Sequence, residues 1–333
     1  MNFSRRAGLL AGLGLLGGVA AGCSAGPAAS SPAGSPSGSP TPADPASAST
    51  GASPTPTPSA SAADPLPRGP VNALLCGTDS RTPGANTGNA DAIVLAQLSA
   101  DRTRLALVSV TRDSYVPLAT GGRGKINAAY ARGGADGLKR TVSTLFGGLA
   151  IPYTAQTDFT DFIELTKLLD GFTVNNRVAS SVTSSVTGTV TRFPAGRLTL
   201  HGADWLIYAR QRKGLPRGDL DRAERHRAVL AGMLARVKEI AATDPVRFAR
   251  LAASAWTKVR VTGPLTAAQV PALGVVLGRL DARSVTSLQV PVAGYRTVGG
   301  ASVNILDAAK TRALGAALRA GDVRAYVQAN GTS

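Results

Sequence analysis

Between Ser24 and Arg68 this 333-residue chain is written almost wholly in Ala, Ser, Pro, Gly and Thr, with Asp44 and Asp64 the only charges before Arg68. Such a stretch has too little apolar bulk to offset the entropy of ordering, so it reads as a disordered tether. Any fold must be built from the residues that follow it. A flexible tether of this length has an r.m.s. reach of roughly 35–40 Å, more where proline stiffens it.

The residues ahead of the tether say where it leads. Arg5-Arg6 precedes an apolar, glycine-rich run from Ala7 to Ala21 that ends in Gly22-Cys23. A charged start, a short apolar middle and a small-residue exit are the marks of an export leader, too short for a comfortable membrane span. Ala20-Ala21-Gly22-Cys23 has the form of a lipobox, in which Cys23 is acylated and anchors the chain. The expected location is the extracytoplasmic face of the cell membrane, by lipid anchor or uncleaved leader. Only Cys23 and Cys76 exist, so no disulfide framework supports the fold. Cys76 closes an apolar run and reads as a small buried hydrophobe.

From Val71 the pattern changes. Val71–Cys76, Ala92–Leu98 and Leu105–Val110 are short, apolar and β-branched enough for strands. Helical spacing runs over Leu138–Phe146, Phe159–Leu169 and, most clearly, Leu220–Ala241. Thr199–Ile207 leads through Gly202 into a short helix, and further helical patterns cover Val246–Trp256, Ala267–Leu280 and Ile305–Leu318. Strands alternating with helices predict an α/β domain. The formal net charge is +16, from 36 Lys+Arg against 20 Asp+Glu, and arginine dominates. That bias suits nucleic acid, an anionic membrane surface or a polyanionic substrate. An exported, tethered domain does not meet the chromosome, which sets nucleic acid aside.

Candidate chemistry gathers where elements end. Asp79 follows the first strand and Asp91 opens the second, where α/β sheets bind ligands. The pair could share a divalent cation, Mg²⁺ or Mn²⁺ given oxygen donors and no His or Cys cluster. Equally, Asp79 could cap a turn and Asp91 pair with an arginine. Arg81, Arg112, Arg210 and Arg212 stand beside element ends, and Arg217, Arg222 and Arg225 add to them. So many guanidinium groups suit a pyrophosphate, which needs several fixed donors. The run Lys125-Ile126-Asn127-Ala128-Ala129-Tyr130 reads as a polar surface around a ligand rather than a core element. Asp113 beside Arg112 is either a base for an acceptor hydroxyl or a charge partner. No Walker loop and no Gly-x-Ser-x-Gly elbow is present.

These motifs together resemble the LytR–CpsA–Psr family of cell-envelope enzymes. The resemblance rests on Gly77-Thr78-Asp79-Ser80-Arg81, Asn89-Ala90-Asp91, Thr111-Arg112-Asp113, Lys125 to Tyr130, Tyr208-Ala209-Arg210-Gln211-Arg212 and Gly218-Asp219 to Arg225. It implies an α-β-α sandwich with a central mixed sheet flanked by helices. It divides the chain into a leader (1–23), a tether (24–68), a catalytic domain (69–242) and a C-terminal α/β extension packed on it (243–333). The implied reaction moves a glycopolymer from an undecaprenyl-pyrophosphate carrier to peptidoglycan through a phosphodiester bond. A binding protein without turnover and a pyrophosphate hydrolase are the alternatives. Asp79 and Asp91 would hold Mg²⁺. Arg81, Arg112, Lys125, Asn127, Arg210, Arg212, Arg217, Arg222, Arg225 and His226 would surround the phosphates, with Arg112, Asp113, Arg210 and Arg212 nearest the chemistry. His226 stands where the family usually has glutamine, and Trp205 is bulkier than the usual residue. A polyprenyl tunnel is expected along Phe159, Phe162, Leu165, Leu168 and Leu169, residues that ordinary core packing would also need.

Overall fold

The computed structural model describes residues 64–80, 88–184, 187–202, 204–280 and 284–332. The leader with Cys23, most of the expected tether, and Arg81 lie outside the described residues.

The chain runs through strands β1 (Val71–Thr78), β2 (Ala90–Leu98) and β3 (Leu105–Ser109), then the hairpin of β4 (Tyr115–Pro117) and β5 (Arg123–Lys125). Helix α1 (Asn127–Leu145), β6 (Tyr153–Asp158) and α2 (Phe159–Leu169) follow. Next come β7 (Phe172–Asn176), the hairpin of β8 (Ser180–Thr183) and β9 (Val190–Phe193), β10 (Gly196–Leu200), α3 (Asp204–Arg210) and the long α4 (Asp219–Thr243). The last third holds α5 (Pro245–Lys258), β11 (Arg260–Thr262), α6 (Val270–Gly278) and β12 (Val285–Gln289). It closes with the hairpin of β13 (Val292–Val298) and β14 (Ala301–Leu306), α7 (Ala308–Ala320) and α8 (Arg324–Asn330).

Six strands make one sheet in the order β11-β6-β1-β2-β3-β12. β1 is parallel to β6 and antiparallel to β2, and β3 is parallel to β12, so the sheet is mixed as expected. Strand alternation sorts side chains to two faces. Leu74, Cys76, Ile93, Leu95 and Val108 pack with Leu138 and Val142 of α1 and Leu314 and Leu318 of α7. The opposite face, under α2 and α4, carries Gly77, Ala92 and Ala155, whose small size leaves space there.

Two boundaries differ from expectation. The C-terminal 243–333 is no separate extension: β11 and β12 are the two edge strands of the central sheet. A strand of three residues gives little periodic signal, which hid β11, whereas the sequence does suggest a strand at Ser287–Pro291 that overlaps β12. The tether also ends early. Arg102 Nε lies 2.7 Å from Asp64 Oδ2, and the same guanidinium donates to the carbonyls of Pro67 and Gly69. Leu66 packs beside Val71, Leu98 and Tyr153.

The Lys125–Tyr130 run is half core. Ile126, Ala129 and Tyr130 are buried, and the Tyr130 hydroxyl donates to Gln156 Oε1 at 3.0 Å. Lys125, Asn127 and Ala128 stand partly open, because helix spacing turns Ile126, Ala129 and Tyr130 inward. The paired glycines kink α1, with Gly134 at φ +58°.

Candidate active site at the mouth of an apolar cavity

A bulge aims the first carboxylate. β1 and β2 pair Gly77 with Ala92 and Thr78 with Ala90, so Asp91 is the extra residue between them. Bulges re-aim side chains beside sites, and here the Asp91 carboxylate meets two arginines. Arg112 Nη1 is 2.5 Å from Asp91 Oδ1, and Arg222 Nη1 is 3.4 Å from Oδ2. Arg222 comes from the first turn of α4, where Asp219, three residues earlier, lies 2.7 Å from its Nη2. Acidic residues belong at a helix start, so Asp219 serves both the helix dipole and the arginine. Arg212 Nε reaches Asp219 Oδ1 at 3.7 Å. Asp113 holds Lys125 Nζ at 2.7 Å and Arg112 Nε at 3.8 Å, which makes it a charge partner. Asn127 joins through its backbone N–H to the Arg112 carbonyl.

Other sequence candidates go elsewhere. Arg225 is buried: it donates to Gln211 Oε1 and Ser180 Oγ, each at 2.7 Å, and lies over the Tyr208 ring. Its role is to tie β8 to α3. Arg217 pairs with Asp221 and Glu224 on α4, away from Asp91. Arg210 is exposed and stacks over Phe159 at 4.7 Å, at the edge of the cavity described next. Asp219 is the residue of the recess that sequence reasoning passed over. Asp219 stood inside a quoted motif, and its spacing to Arg222 was the available signal.

A cavity of about 310 Å³ lies between the sheet and α2, α3 and α4. Phe159, Phe162, Leu165, Trp205, Val229, Leu230 and Met233 supply its apolar wall, and Thr78, Asp158 and His226 one polar end. Asp158 also caps α2 by accepting the Asp161 N–H at 2.9 Å, which fixes where Phe159 and Phe162 point. Leu168 is exposed and Leu169 belongs to the core behind, so these two do not line the cavity. His226 borders both the cavity and a recess containing Asp91, Arg112, Asp219 and Arg222.

Electrostatics in the recess favour an anion. Four cationic side chains (Arg112, Lys125, Arg212, Arg222) meet three carboxylates (Asp91, Asp113, Asp219), and Arg210 stands nearby over Phe159. Arg112 Nε and Arg222 Nε are buried without a hydrogen-bond acceptor among the described residues. Burial pulls the Arg222 guanidinium below its ordinary value, although Asp219 and Asp91 oppose this. For Arg112 burial is outweighed by Asp91, and its value rises. Buried guanidinium donors without acceptors are costly unless a ligand supplies oxygens.

The donor set also admits a cation. Asp79 Oδ1 accepts the Asn89 N–H at 2.9 Å, and both oxygens of Asp91 face arginines. No group of three or more His, Cys, Asp or Glu gathers among the described residues. Mg²⁺ is commonly held by one or two carboxylates with phosphate oxygens completing its shell. Asp79 and Asp91 offer the two carboxylates of that pattern, with both Asp91 oxygens held by Arg112 and Arg222 in this structure.

His226 is neutral. Burial and the neighbouring Arg222 lower its pKa to about 4. Its Nε2 is 2.9 Å from the Ala209 carbonyl, which can only accept, so Nε2 carries the proton. Because the unfolded chain takes up a proton near pH 6.5 and the folded one near 4, stability holds above about 6.5. It is lost as pH falls across that window, by on the order of 2–3 kcal/mol. Replacing His226 with glutamine should flatten this slope, read from urea midpoints between pH 7 and 4.

An apolar cavity opening on an arginine–aspartate cluster suits an amphiphile with an anionic head. Residues 43–320 match the LytR_cpsA_psr family, and the chain belongs to it. It is 32% identical over 168 residues to TagU of Bacillus subtilis (strain 168), named a polyisoprenyl-teichoic acid–peptidoglycan teichoic acid transferase; the match covers 50% of this chain and 51% of TagU. Cell wall biosynthesis protein LcpA of Corynebacterium glutamicum is 28% identical over 287 residues, 72% of this chain and 54% of LcpA. The chain therefore spans about half the length of these relatives. The crystal structure of B. subtilis TagV shares the fold, with a TM-score of 0.66 and 24% identity over 77% of this chain and 98% of the crystallised chain.

Proposed function

We propose that this protein transfers a glycopolymer from a polyprenyl-pyrophosphate carrier to peptidoglycan, at the outer face of the membrane. The observation that carries the reading is the cavity of about 310 Å³ with the Asp91–Arg112–Arg222 cluster beside its polar end. The apolar tail would enter between α2 and α4, and the pyrophosphate would lie against Arg112 and Arg222, with Arg210 and Arg212 at the rim. The names of TagU and LcpA support the same reading.

In the reaction an acceptor hydroxyl attacks the sugar-bearing phosphorus. The new P–O bond forms as the bridging P–O bond breaks, polyprenyl phosphate leaves, and the hydroxyl proton is released. Arginines fixed by Asp91, Asp113 and Asp219 need little reorganisation as charge moves to the leaving phosphate. Asp79 and Asp91 would hold Mg²⁺, which supplies Lewis-acid neutralisation of the phosphate oxygens. His226, neutral, would keep the boundary between tail and headgroup uncharged.

The test incubates the full chain in detergent with Mg²⁺, a polyprenyl-pyrophosphate oligosaccharide and nascent peptidoglycan. Sugar covalently attached to the glycan, with polyprenyl phosphate released, is the expected result. Lipid binding without product would leave a carrier-binding protein, and release of phosphorylated sugar to water a hydrolase.

A further inference from the structure

We infer that the cavity grips only the first two or three isoprene units of the lipid, and that Trp205 is the residue that sets this limit. The inference rests on the proposed polyprenyl-pyrophosphate reading. A 150 Å³ cavity holds one benzene ring, so about 310 Å³ has room for about a dozen carbons. A long polyprenyl chain far exceeds that, and its remainder stays outside the protein.

Helix geometry gives the same scale. His226 marks the polar end on α4 and Met233 the far lining residue of that helix, about 10 Å apart at 1.5 Å per residue. Trp205 lines the cavity from α3 one turn before Ala209, whose carbonyl holds His226. It is the bulkiest side chain in the wall, 2% exposed, and braced edge-on against Phe162 with ring centroids 4.6 Å apart. Behind it lies the packed core of Phe172, Leu200 and Tyr208. A buried indole N–H normally finds an acceptor, yet Trp205 Nε1 has none among the described residues. The ring thus serves as a wall rather than as a hydrogen-bonding link in the core.

The experiment measures affinity of the full chain for geranyl, farnesyl, geranylgeranyl and undecaprenyl pyrophosphate in one detergent. Each isoprene unit that gains a buried site should tighten binding on the order of a hundredfold. The expected wild-type series gains from geranyl to farnesyl and then changes by less than about threefold. In Trp205→Ala, checked for a cooperative melt, the gain should extend to geranylgeranyl. Trp205→Phe, which keeps the core filled, should shift the plateau less. Continued gain per unit in the wild type, or an unchanged plateau in a folded Trp205→Ala, overturns the inference while leaving the polyprenyl reading intact. Failure of every prenyl pyrophosphate to bind overturns the polyprenyl reading itself, and the inference with it.

Discussion

Asp91→Ala should abolish measurable transfer, a loss on the order of 10²–10⁴-fold, and should also lower stability by about 1–3 kcal/mol. Two effects converge because the carboxylate has two duties. It spaces Arg112 and Arg222, at 2.5 and 3.4 Å from its two oxygens, and it would share the metal with Asp79. Arg222 is only 4% exposed, so losing one of its carboxylates leaves a buried charge resting on Asp219 alone. Asp91→Asn keeps the side-chain volume and leaves one acceptor oxygen for the arginines while removing the charge, so its stability loss should be the smaller of the two variants. Single-turnover assays and thermal melts on both variants read the two effects independently. Full activity in a destabilised Asp91→Ala would make the residue a charge partner and nothing more.

How much of this was legible in the sequence depended on whether a residue's partner was local. Helix α2 was readable end to end because Asp158 caps it and the apolar spacing repeats within it. β6 was not. Tyr153-Thr154-Ala155-Gln156-Thr157-Asp158 carries little apolar bulk, yet it lies inside the sheet between β1 and β11. Its inward polar groups are satisfied from afar: Gln156 by Tyr130, Thr154 by Thr262. No window of sequence shows such pairs. At the site the residue types were visible and their destinations were not. Arg222 and Arg225 are three apart on α4, and that step sends one to Asp91 and the other to Gln211 and Ser180. The bulge at Asp91 depends on the register of β1 against β2, which is a property of the paired strands.

Ala155→Leu should separate function from stability in the opposite sense. Ala155 lines the cavity floor from β6, beside Leu75 of β1 in the parallel register. A leucine there projects into space that the folded protein leaves unfilled, and Ala155 does not line the recess of Asp91, Arg112 and Arg222. Filling an apolar cavity with carbon adds dispersion contacts and removes apolar surface from water, worth about 1 kcal/mol or more if the rotamer fits. The same carbons occupy part of about 310 Å³ that the lipid tail would need. Affinity for a farnesyl-length pyrophosphate should therefore fall by about 100-fold while the urea midpoint stays level or rises. Inorganic pyrophosphate, which needs only the arginines, should compete in a phosphate-binding assay as well as it does with wild type. A protein whose lipid affinity survives this substitution does not use the cavity, and the tail would then have to lie on the outer surface of α2 or α4.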